Sequence, residues 1–242
     1  MSDSEPCTNW LLASLPSTVL GHINQHLERV SLDRKQLLFC GHERLAHVYF
    51  PTTAIVSLVA TLDTGETLEV GVTGRDGIAG AIGLPDVGSM PCDGIVQIPG
   101  LAYRMDAGLF RQAMRNFEPL SVTVGRYAHL LLVRSMQMQL CNMFHPVEQR
   151  LTRWLLIVSD LLESTDIPLT HELVATMLGV RRPTVTLVVG SLQRAGLIDE
   201  RRGRITIRDR ERLEAACCDC YRVMCEQQVK VLGYSCSAAV AA

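Results

Sequence analysis

The stretch LTHELVATMLGVRRPTVTLVVGSLQRAGLIDERRGRITI, residues 169–207, decides the fold of the C-terminal part of the chain. Thr170 can cap the start of an apolar helical pattern with its hydroxyl, and Gly179 tolerates the positive φ of the turn that ends it. A second helical pattern follows, with Pro183 allowed in its first turn and valines on its inner face. Two helices joined through a short glycine turn predict a helix-turn-helix.

The first turn of the second predicted helix carries the side chains that would enter the major groove of DNA. Arginine forks match the O6 and N7 acceptors of guanine, so Arg182 is the first candidate for reading a base. Leu187 is about 200° around the helix from Val185, so it faces outward, where it could contact a thymine methyl. The candidate DNA-binding residues of the two helices are Thr170, His171, Arg181, Arg182, Thr184, Thr186 and Leu187.

A basic hairpin follows the two helices. The segment AGLIDERRGRITI, residues 195–207, contains two short runs typical of strands, closed near Arg202 and Gly203. This hairpin is the predicted wing of a winged helix, and Arg201, Arg202 and Arg204 are expected to contact backbone phosphates. Such contacts fix the register of a protein on DNA without reading its sequence. The alternative is that these arginines lie on a solvated hairpin without a partner.

Charge is unevenly distributed along the 242 residues, whose 48% hydrophobic content is ample for buried cores. The formal net charge is −2, but residues 51–100 contain one base and six acids, whereas residues 171–212 contain nine arginines and five acids. Nucleic acid will avoid the first segment. The second, with a net charge of +4, fits a phosphate-rich partner.

Residues 37–105 predict a β-rich domain, preceded by a short helical stretch at residues 16–27. Glycine or proline interrupts the segment every several residues, and the runs between, AHVYF, AIVSLVATL, ETLEVGV and GIVQI, alternate or are β-branched. Asp63, Thr64 and Gly65 join two of these runs as a hairpin. The pattern favours a β-sandwich or jelly-roll barrel, which could hold a ligand or serve as a packed scaffold.

A long helix is predicted from about Glu118 to Met143. It carries two apolar stripes, and the first follows the steps of four and three of a coiled coil. We assign dimerisation to this first stripe, through Leu120, Val124, Tyr127, Leu131 and Met138. The second stripe, on another face, consists of Leu132, Met136, Leu140 and Met143. The alternative is a helix buried wholly within one subunit, which Arg134 in the first stripe keeps open.

Pro146 suits the first turn of a further helix, so a domain boundary is expected near His145. The predicted division is a sensor domain at residues 1–117, a dimerisation helix at 118–144, a winged helix-turn-helix at 145–216, and a C-terminal helix and tail at 217–242. The fold class is therefore α+β.

These features together resemble the cyclic-AMP receptor / fumarate-nitrate regulator (Crp/Fnr) superfamily of bacterial transcription factors. The similarity covers nearly the whole chain and is strongest at residues 145–216. The resemblance implies an N-terminal double-stranded β-helix (jelly-roll, cyclic-nucleotide-binding-like) sensor domain, a dimerising helix and a C-terminal winged helix-turn-helix. It also implies binding to double-stranded promoter DNA as a homodimer, with RNA polymerase as a candidate further partner.

Two family patterns are incomplete in this sequence. The family reads bases with an arginine, a glutamate directly after it, and a second arginine four positions beyond the glutamate. Arg182 matches the first arginine, but Pro183 and Leu187 stand at the other two positions, so the operator sequence does not carry over from the best-known members.

The second incomplete pattern is the clamp that binds the cyclic-nucleotide phosphate. The family uses a glutamate and a later arginine, because a buried phosphate needs a paired cation. Ile78 and Ala79 stand where the glutamate is expected, and no arginine occurs between Arg75 and Arg104. The chain is therefore placed in a subgroup that lacks this clamp, and we expect no cyclic nucleotide and no other assigned cofactor.

The cysteine-rich segment ACCDCYRVMC offers a rival function. It contains Cys217, Cys218, Cys220 and Cys225, and some family members sense oxygen through an iron-sulfur cluster. If the segment is a helix that begins near Asp209, however, Cys225 lies about 140° from Cys220, and four ligands would not converge; near the N-terminus there is only Cys7. Three interpretations remain open, namely a metal or cluster site, a redox-active thiol pair, and packing thiols on a helix. We expect no metal.

No motif indicates catalysis or a membrane. The chain has no P-loop, dinucleotide fingerprint, nucleophile elbow or H-E-x-x-H, and its seven histidines are scattered. We therefore expect no enzyme and no catalytic residues. The longest apolar runs fall far short of the ~20 residues that a membrane helix needs, and NWLLASL is too short for a secretory signal. We expect a cytoplasmic protein whose nine cysteines are mostly reduced.

Overall fold

The computed structural model describes residues 9–84 and 88–234, so Cys7 lies outside the described residues. The chain divides into two compact units, one formed by residues up to Leu58 with Val72–His129, the other by Val59–Gly71 with the chain from Leu130. This division falls inside the long helix and assigns the end of one hairpin to the second unit. The four-part division by sequence order therefore stays a prediction, and the units are described separately.

The first unit is rich in strands, as the sequence predicts. Two short helices, α1 and α2, precede seven strands, a 3-10 turn at Ala81–Gly83 and the helix α3; the end of β4 and most of β5 belong to the second unit, and the long helix α4 begins in the first. Their bounds are α1 Trp10–Ala13, α2 Ser17–Asn24, β1 Glu28–Leu32, β2 Leu37–Phe39, β3 His47–Pro51, β4 Ile55–Thr61, β5 Thr67–Thr73, β6 Asp93–Ile98, β7 Gly100–Asp106, α3 Ala107–Asn116 and α4 Glu118–Phe144.

These strands form two sheets, with the orders β1-β7-β3 and β2-β6-β4-β5. The pairs β1/β7 and β3/β7 are antiparallel, and so is β2/β6. The core includes Phe50 of β3 and Phe110 of α3, whose ring centroids are 5.5 Å apart. The predicted hairpin is confirmed, with Leu62 donating to the Glu66 carbonyl at 2.9 Å and Gly65 at a φ of +93°.

The second unit contains most of the remaining helices and a small sheet. Its elements are α5 Val147–Leu162, β8 Asp166–Ile167, α6 His171–Leu178, α7 Arg182–Arg194, β9 Ile198–Arg201, β10 Arg204–Ile207, α8 Arg210–Ala215 and α9 Cys220–Leu232. The three strands are antiparallel in the order β8-β10-β9. The helix α5 is buried along most of its length, with the Trp154 ring inside the unit and its Nε1 donating to Glu69 at 3.1 Å.

The structure corrects the stripe assigned to dimerisation. Leu120, Val124, Tyr127, Leu131 and Met138 are between 0% and 7% exposed within a single chain, so they are already packed inside the subunit. Tyr127, for example, donates to Thr73 Oγ1 at 3.1 Å, and a Cβ on Gly77 would lie 1.8 Å from the Tyr127 ring. The other stripe, Leu132, Met136, Leu140 and Met143, is between 52% and 77% exposed.

The prediction of one helix that begins near Asp209 and continues through the cysteines is also wrong. Asp209 caps α8, which ends at Ala215, and α9 begins only at Cys220. Cys217 and Cys218 therefore lie in the break between two helices. The rotation of 100° per residue therefore does not set the directions of the Cys217 and Cys218 side chains, whereas the angle between Cys220 and Cys225 still holds within α9.

No single helix in the described part of the chain has both the length and the hydrophobicity that a membrane span requires. The helices α6 and α7, bent by 109° relative to each other, reach that combination only when they are counted together.

Candidate nucleic-acid interface

The helices α6 and α7 form the predicted helix-turn-helix. Thr170 Oγ1 accepts from the Leu173 amide at 3.3 Å and caps α6, and Gly179 ends it in the left-handed conformation at a φ of +61°. The bend of 109° between the helices lies within the 90–120° of this motif. Val185, Val189 and Leu192 of α7 face the core.

The first turn of α7 is exposed and basic. Arg181 is the N-cap residue and Arg182 the first residue of the helix, and both side chains are exposed. Neither forms an ion pair with any carboxylate of the described residues. Leu187 is 73% exposed, on the face opposite the buried valines. This arrangement presents two free guanidinium groups and one apolar side chain to solvent.

The side chains of His171 and Thr186 contact each other. The His171 Nδ1 and the Thr186 hydroxyl are 3.1 Å apart, and the Thr186 hydroxyl also lies 3.3 Å from the Arg182 carbonyl. His171 Nε2 is 4.0 Å from Glu200 in β9. His171 and Thr186 therefore connect α6 with α7, and His171 also lies near β9. Thr184 is half-buried.

The strands β9 and β10 form the predicted hairpin, with its turn at Arg202 and Gly203, both at positive φ. The three candidate arginines differ in their partners. Arg201 Nε is 3.1 Å from Asp199, and Arg204 is held bidentately by Asp166, with Nε 3.0 Å from Oδ2. Arg202 is exposed and forms no ion pair with the described residues. It is therefore the freest cation of the hairpin.

Two buried charged side chains that the sequence analysis missed support this domain. Arg150 of α5 is 9% exposed and donates to the Leu178 carbonyl at the end of α6, and to Asn142 Oδ1 at 3.1 Å. Asp160 of α5 accepts from Arg210 and from Tyr221, each at 2.7 Å. Burial raises the pKa of Asp160 to about 6, although both partners oppose the rise. Sequence offers no signal for these pairs, since helical periodicity does not distinguish a buried arginine from an exposed one.

The region expected to lack a phosphate clamp contains buried apolar side chains and arginines that already bind other residues of the same unit. Ile78 and Ala79, at the glutamate positions, are buried. Arg75 donates to the Thr52 carbonyl at 3.0 Å and lies over the Trp10 ring at 5.9 Å. Arg104 of β7 pairs with Glu28 of β1 at 2.5 Å. Both arginines that bracket the segment thus have partners within their own unit.

Three of the four cysteines of the rival function, Cys217, Cys218 and Cys220, lie close together, but the fourth does not join them. Cys218 and Cys220 lie close to Cys141 in α4 and to His145, the residue directly after α4. The sequence analysis did not group these two residues with the cysteines. Cys217 packs beside this group, and Cys225 is buried elsewhere on α9. The hydrogen bond with Cys218, together with burial, raises the pKa of the Cys141 thiol to about 12. No disulfide bond joins two of the cysteines that the structure describes.

Comparison with known proteins agrees with this geometry. Residues 149–216 match the family model described as the Crp-like helix-turn-helix domain. No curated protein sequence is significantly similar to the chain.

Solved structures share the fold at low sequence identity. FixK2 from Bradyrhizobium japonicum is similar with a TM-score of 0.67 and 15% identity, over 79% of this chain and 98% of that protein. The c-di-GMP responsive global regulator CLP from Xanthomonas campestris has a TM-score of 0.64 and 17% identity, over 80% and 100%. TTHB099, a transcriptional regulator from Thermus thermophilus, has a TM-score of 0.62 and 18% identity, over 87% and 99%.

Proposed function

We propose that the protein is a sequence-specific DNA-binding transcriptional regulator, because residues 149–216 match the Crp-like helix-turn-helix domain and the chain shares its fold with FixK2, CLP and the transcriptional regulator TTHB099. The proposal extends to its form and target, which are a homodimer and an inverted-repeat operator.

The exposed first turn of α7 is the observation that carries the proposal. In a helix-turn-helix this turn enters the major groove, and here it presents Arg181 and Arg182 without carboxylate partners among the described residues. Unpaired guanidinium groups keep their donors available for guanine O6 and N7 and for phosphate oxygens. Leu187 adds an apolar contact of the kind that a thymine methyl accepts. Arg202 supplies a phosphate contact from the wing.

The exposed stripe of α4 supports the homodimer. Leu132, Met136, Leu140 and Met143 form one apolar face of a helix whose opposite face is already buried. Large apolar side chains gathered on one exposed helix face mark an interaction surface more often than scattered ones do. Two copies packed through this face about a two-fold axis would cover it and present two recognition helices.

The sensor domain, in this proposal, binds no cyclic nucleotide through a phosphate clamp. Arg75 and Arg104 are engaged with Thr52 and Glu28, and Ile78 and Ala79 supply no carboxylate for a ribose. The similar protein CLP is responsive to c-di-GMP, and the phosphates of such a ligand would likewise need a cation in this domain. The protein acts in the cytoplasm, at promoters where RNA polymerase also binds, and without enzymatic activity.

Genome-wide mapping of the tagged full chain in its own cells tests the proposal. The expected result is enrichment at a limited set of promoter regions that share a sequence motif. The Arg182→Ala chain, expressed at the same level, should lose most of these peaks. Enrichment spread evenly over the genome, or no enrichment above an untagged strain, would overturn the proposal of sequence-specific regulation.

A further inference from the structure

One group of metal-ligating side chains lies outside the DNA-binding surface. Cys141 near the end of α4, His145 just after it, and Cys218 and Cys220 around the start of α9 place their ligand atoms within 4.8 Å of one another. The three cysteines are buried and His145 is half-buried. From this arrangement we propose that Cys141, His145, Cys218 and Cys220 bind one zinc ion.

The distances fit a tetrahedral site. With Zn–S bonds of about 2.3 Å and Zn–N bonds of about 2.0 to 2.1 Å, ligand atoms around a tetrahedral zinc are separated by about 3.8 Å for two sulfurs and about 3.6 Å for a sulfur and a nitrogen. Cys141 Sγ and Cys218 Sγ are 3.6 Å apart, and Cys220 Sγ and His145 Nδ1 are 3.5 Å apart. The first separation is also well beyond a disulfide bond of about 2.05 Å.

The orientation of His145 is that of a metal ligand. Its Nδ1 faces Cys220 Sγ, while its Nε2 faces the Asp219 carboxylate at 3.9 Å. Metal-bound histidines commonly direct the second ring nitrogen to a carboxylate, which fixes the tautomer and the ring orientation. Here the carboxylate belongs to the residue directly before one of the cysteine ligands. Gln137 Nε2, 3.2 Å from Cys220 Sγ, adds a donor to a sulfur that is a thiolate in the zinc-bound site.

The charge around the group suits this ligand set. Three thiolates, a neutral imidazole and Zn²⁺ carry a net charge of −1. Arg153 of α5 is 2% exposed, its Nε has no hydrogen-bond partner, and no carboxylate of the described residues pairs with it. Its charge interacts electrostatically with the side chain of Cys141, so it lies near the group. A buried cation without an anionic partner is costly, and a site with net negative charge next to it offsets that cost.

Binding is a coordination step that releases protons. Zn²⁺ displaces the protons of three thiols, which pass to the solvent, and His145 coordinates through a neutral nitrogen, so no oxidant or reductant is needed. Soft sulfur ligands in a closed four-ligand site favour zinc in a structural role. The ion would tie the end of α4 to the break between α8 and α9.

X-ray absorption and metal analysis of the full-length protein, purified anaerobically without chelator, test the proposal on the unmodified chain. We expect about one zinc per chain, coordinated by three sulfurs at about 2.3 Å and one nitrogen at about 2.0 to 2.1 Å. After replacement of zinc by Co²⁺, the protein should absorb in the near ultraviolet through thiolate-to-cobalt charge transfer.

Matched serine variants assign the ligands. Cys218→Ser and Cys220→Ser should lower the zinc content to a small fraction of the wild-type value, whereas Cys217→Ser and Cys225→Ser should retain it, because Cys217 and Cys225 lie outside the ligand set. Circular dichroism separates loss of metal from loss of fold, and the wild-type spectra stand even if a ligand variant does not fold.

Two results for the wild-type protein would overturn the proposal: a folded chain without metal and without cobalt charge transfer, or bound iron with visible bands, which indicates a cluster instead. Equal loss of zinc in the Cys217→Ser control would also overturn it. So would a Cys141–Cys218 disulfide in the anaerobic protein. None of these measurements depends on DNA, so the site and the proposed function can fail separately.

Discussion

Arg182 carries the specificity in this account, since it is exposed at the first turn of α7 and unpaired with any carboxylate of the described chain. Arg182→Ala should weaken binding to the operator by about 1 to 3 kcal/mol, the value of one bidentate base contact, and should change binding to random DNA much less. Fluorescence anisotropy with both DNAs measures the difference. Arg194→Ala, which removes an exposed arginine from the last turn of the same helix, is the control. Equal losses on both DNAs would count against Arg182 as a base reader.

The wing arginines should separate by their partners. Arg202 is free, whereas Arg204 is held by Asp166, so part of its charge is already compensated. Arg202→Ala should lower affinity for all sequences and reduce the slope of log K against log salt by about 1, and Arg204→Ala should do so less. A salt titration of binding to random DNA provides the slopes. An unchanged slope in Arg202→Ala would remove the wing from the DNA contacts.

At this scale, local rules predicted some residues and not others. Thr170 as a cap, Gly179 in a left-handed turn and Leu187 as an exposed leucine follow from spacing within a few residues. The pairing of Arg204 with Asp166 joins positions 38 apart, and only the fold brings them together. For that reason the three wing arginines are equivalent at the level of sequence, whereas in the structure they differ in their carboxylate partners.

The exposed stripe of α4 carries the dimer proposal among the elements. Leu132→Glu places a charge in the proposed interface, where it would be desolvated and would face its own copy, so the dimer should dissociate while the subunit stays folded. Leu62→Glu makes the same change at a leucine that is 67% exposed in the β4–β5 turn, and should remain dimeric. Analytical ultracentrifugation with thermal unfolding reports both properties. A dimeric Leu132→Glu chain would place the interface elsewhere.

Leu131→Glu should behave differently. Leu131 is 5% exposed inside the subunit, so a glutamate there would unfold the protein rather than only separate two copies. The two adjacent positions on one helix thus distinguish a residue of the core from a residue of the interface. If Leu131→Glu gave a folded monomer, Leu131 and its stripe would form the dimer interface after all.

Elements were predicted where the local pattern is strong. The hairpin of β4 and β5 and the extent of α4 follow from a turn signal and from a long run with little glycine or proline. The strand β1, Glu28–Leu32, is largely exposed and polar, so it has little period-two signal. The break between α8 and α9 lacks glycine and proline. At this break Cys218 contacts Cys141, 77 positions away, and Cys220 contacts His145, 75 positions away. Sequence periodicity cannot show contacts over such separations.

For the molecule as a whole, the sensor domain should be insensitive to cyclic nucleotides. Because Arg75 and Arg104 are engaged within their own unit and no carboxylate occupies positions 78 and 79, a cyclic phosphate would be buried without a cation. Added cyclic AMP, cyclic GMP or c-di-GMP should neither raise the melting temperature nor change DNA affinity. Saturable binding at micromolar concentration in calorimetry would show that the domain holds a different clamp.

The architecture of the whole chain was predictable because each part carries its own signal, from the β-rich segment to the glycine turn and the basic hairpin. Its assembly was less so, since α4 has two apolar stripes and sequence alone does not tell which one the subunit buries. Side chains packed around Tyr127 and Gly77 decide that choice in the structure.

Selection of DNA from a random pool by the purified full-length protein tests the central claim most directly. Two recognition helices related by a two-fold axis should reach successive major grooves about 34 Å apart. The selected DNA should converge on an interrupted inverted repeat with half-site centres separated by about 10 to 10.5 base pairs, and the Arg182→Ala protein should select no such repeat. A single unrepeated half-site, or a pool that stays random while still being bound, would contradict it.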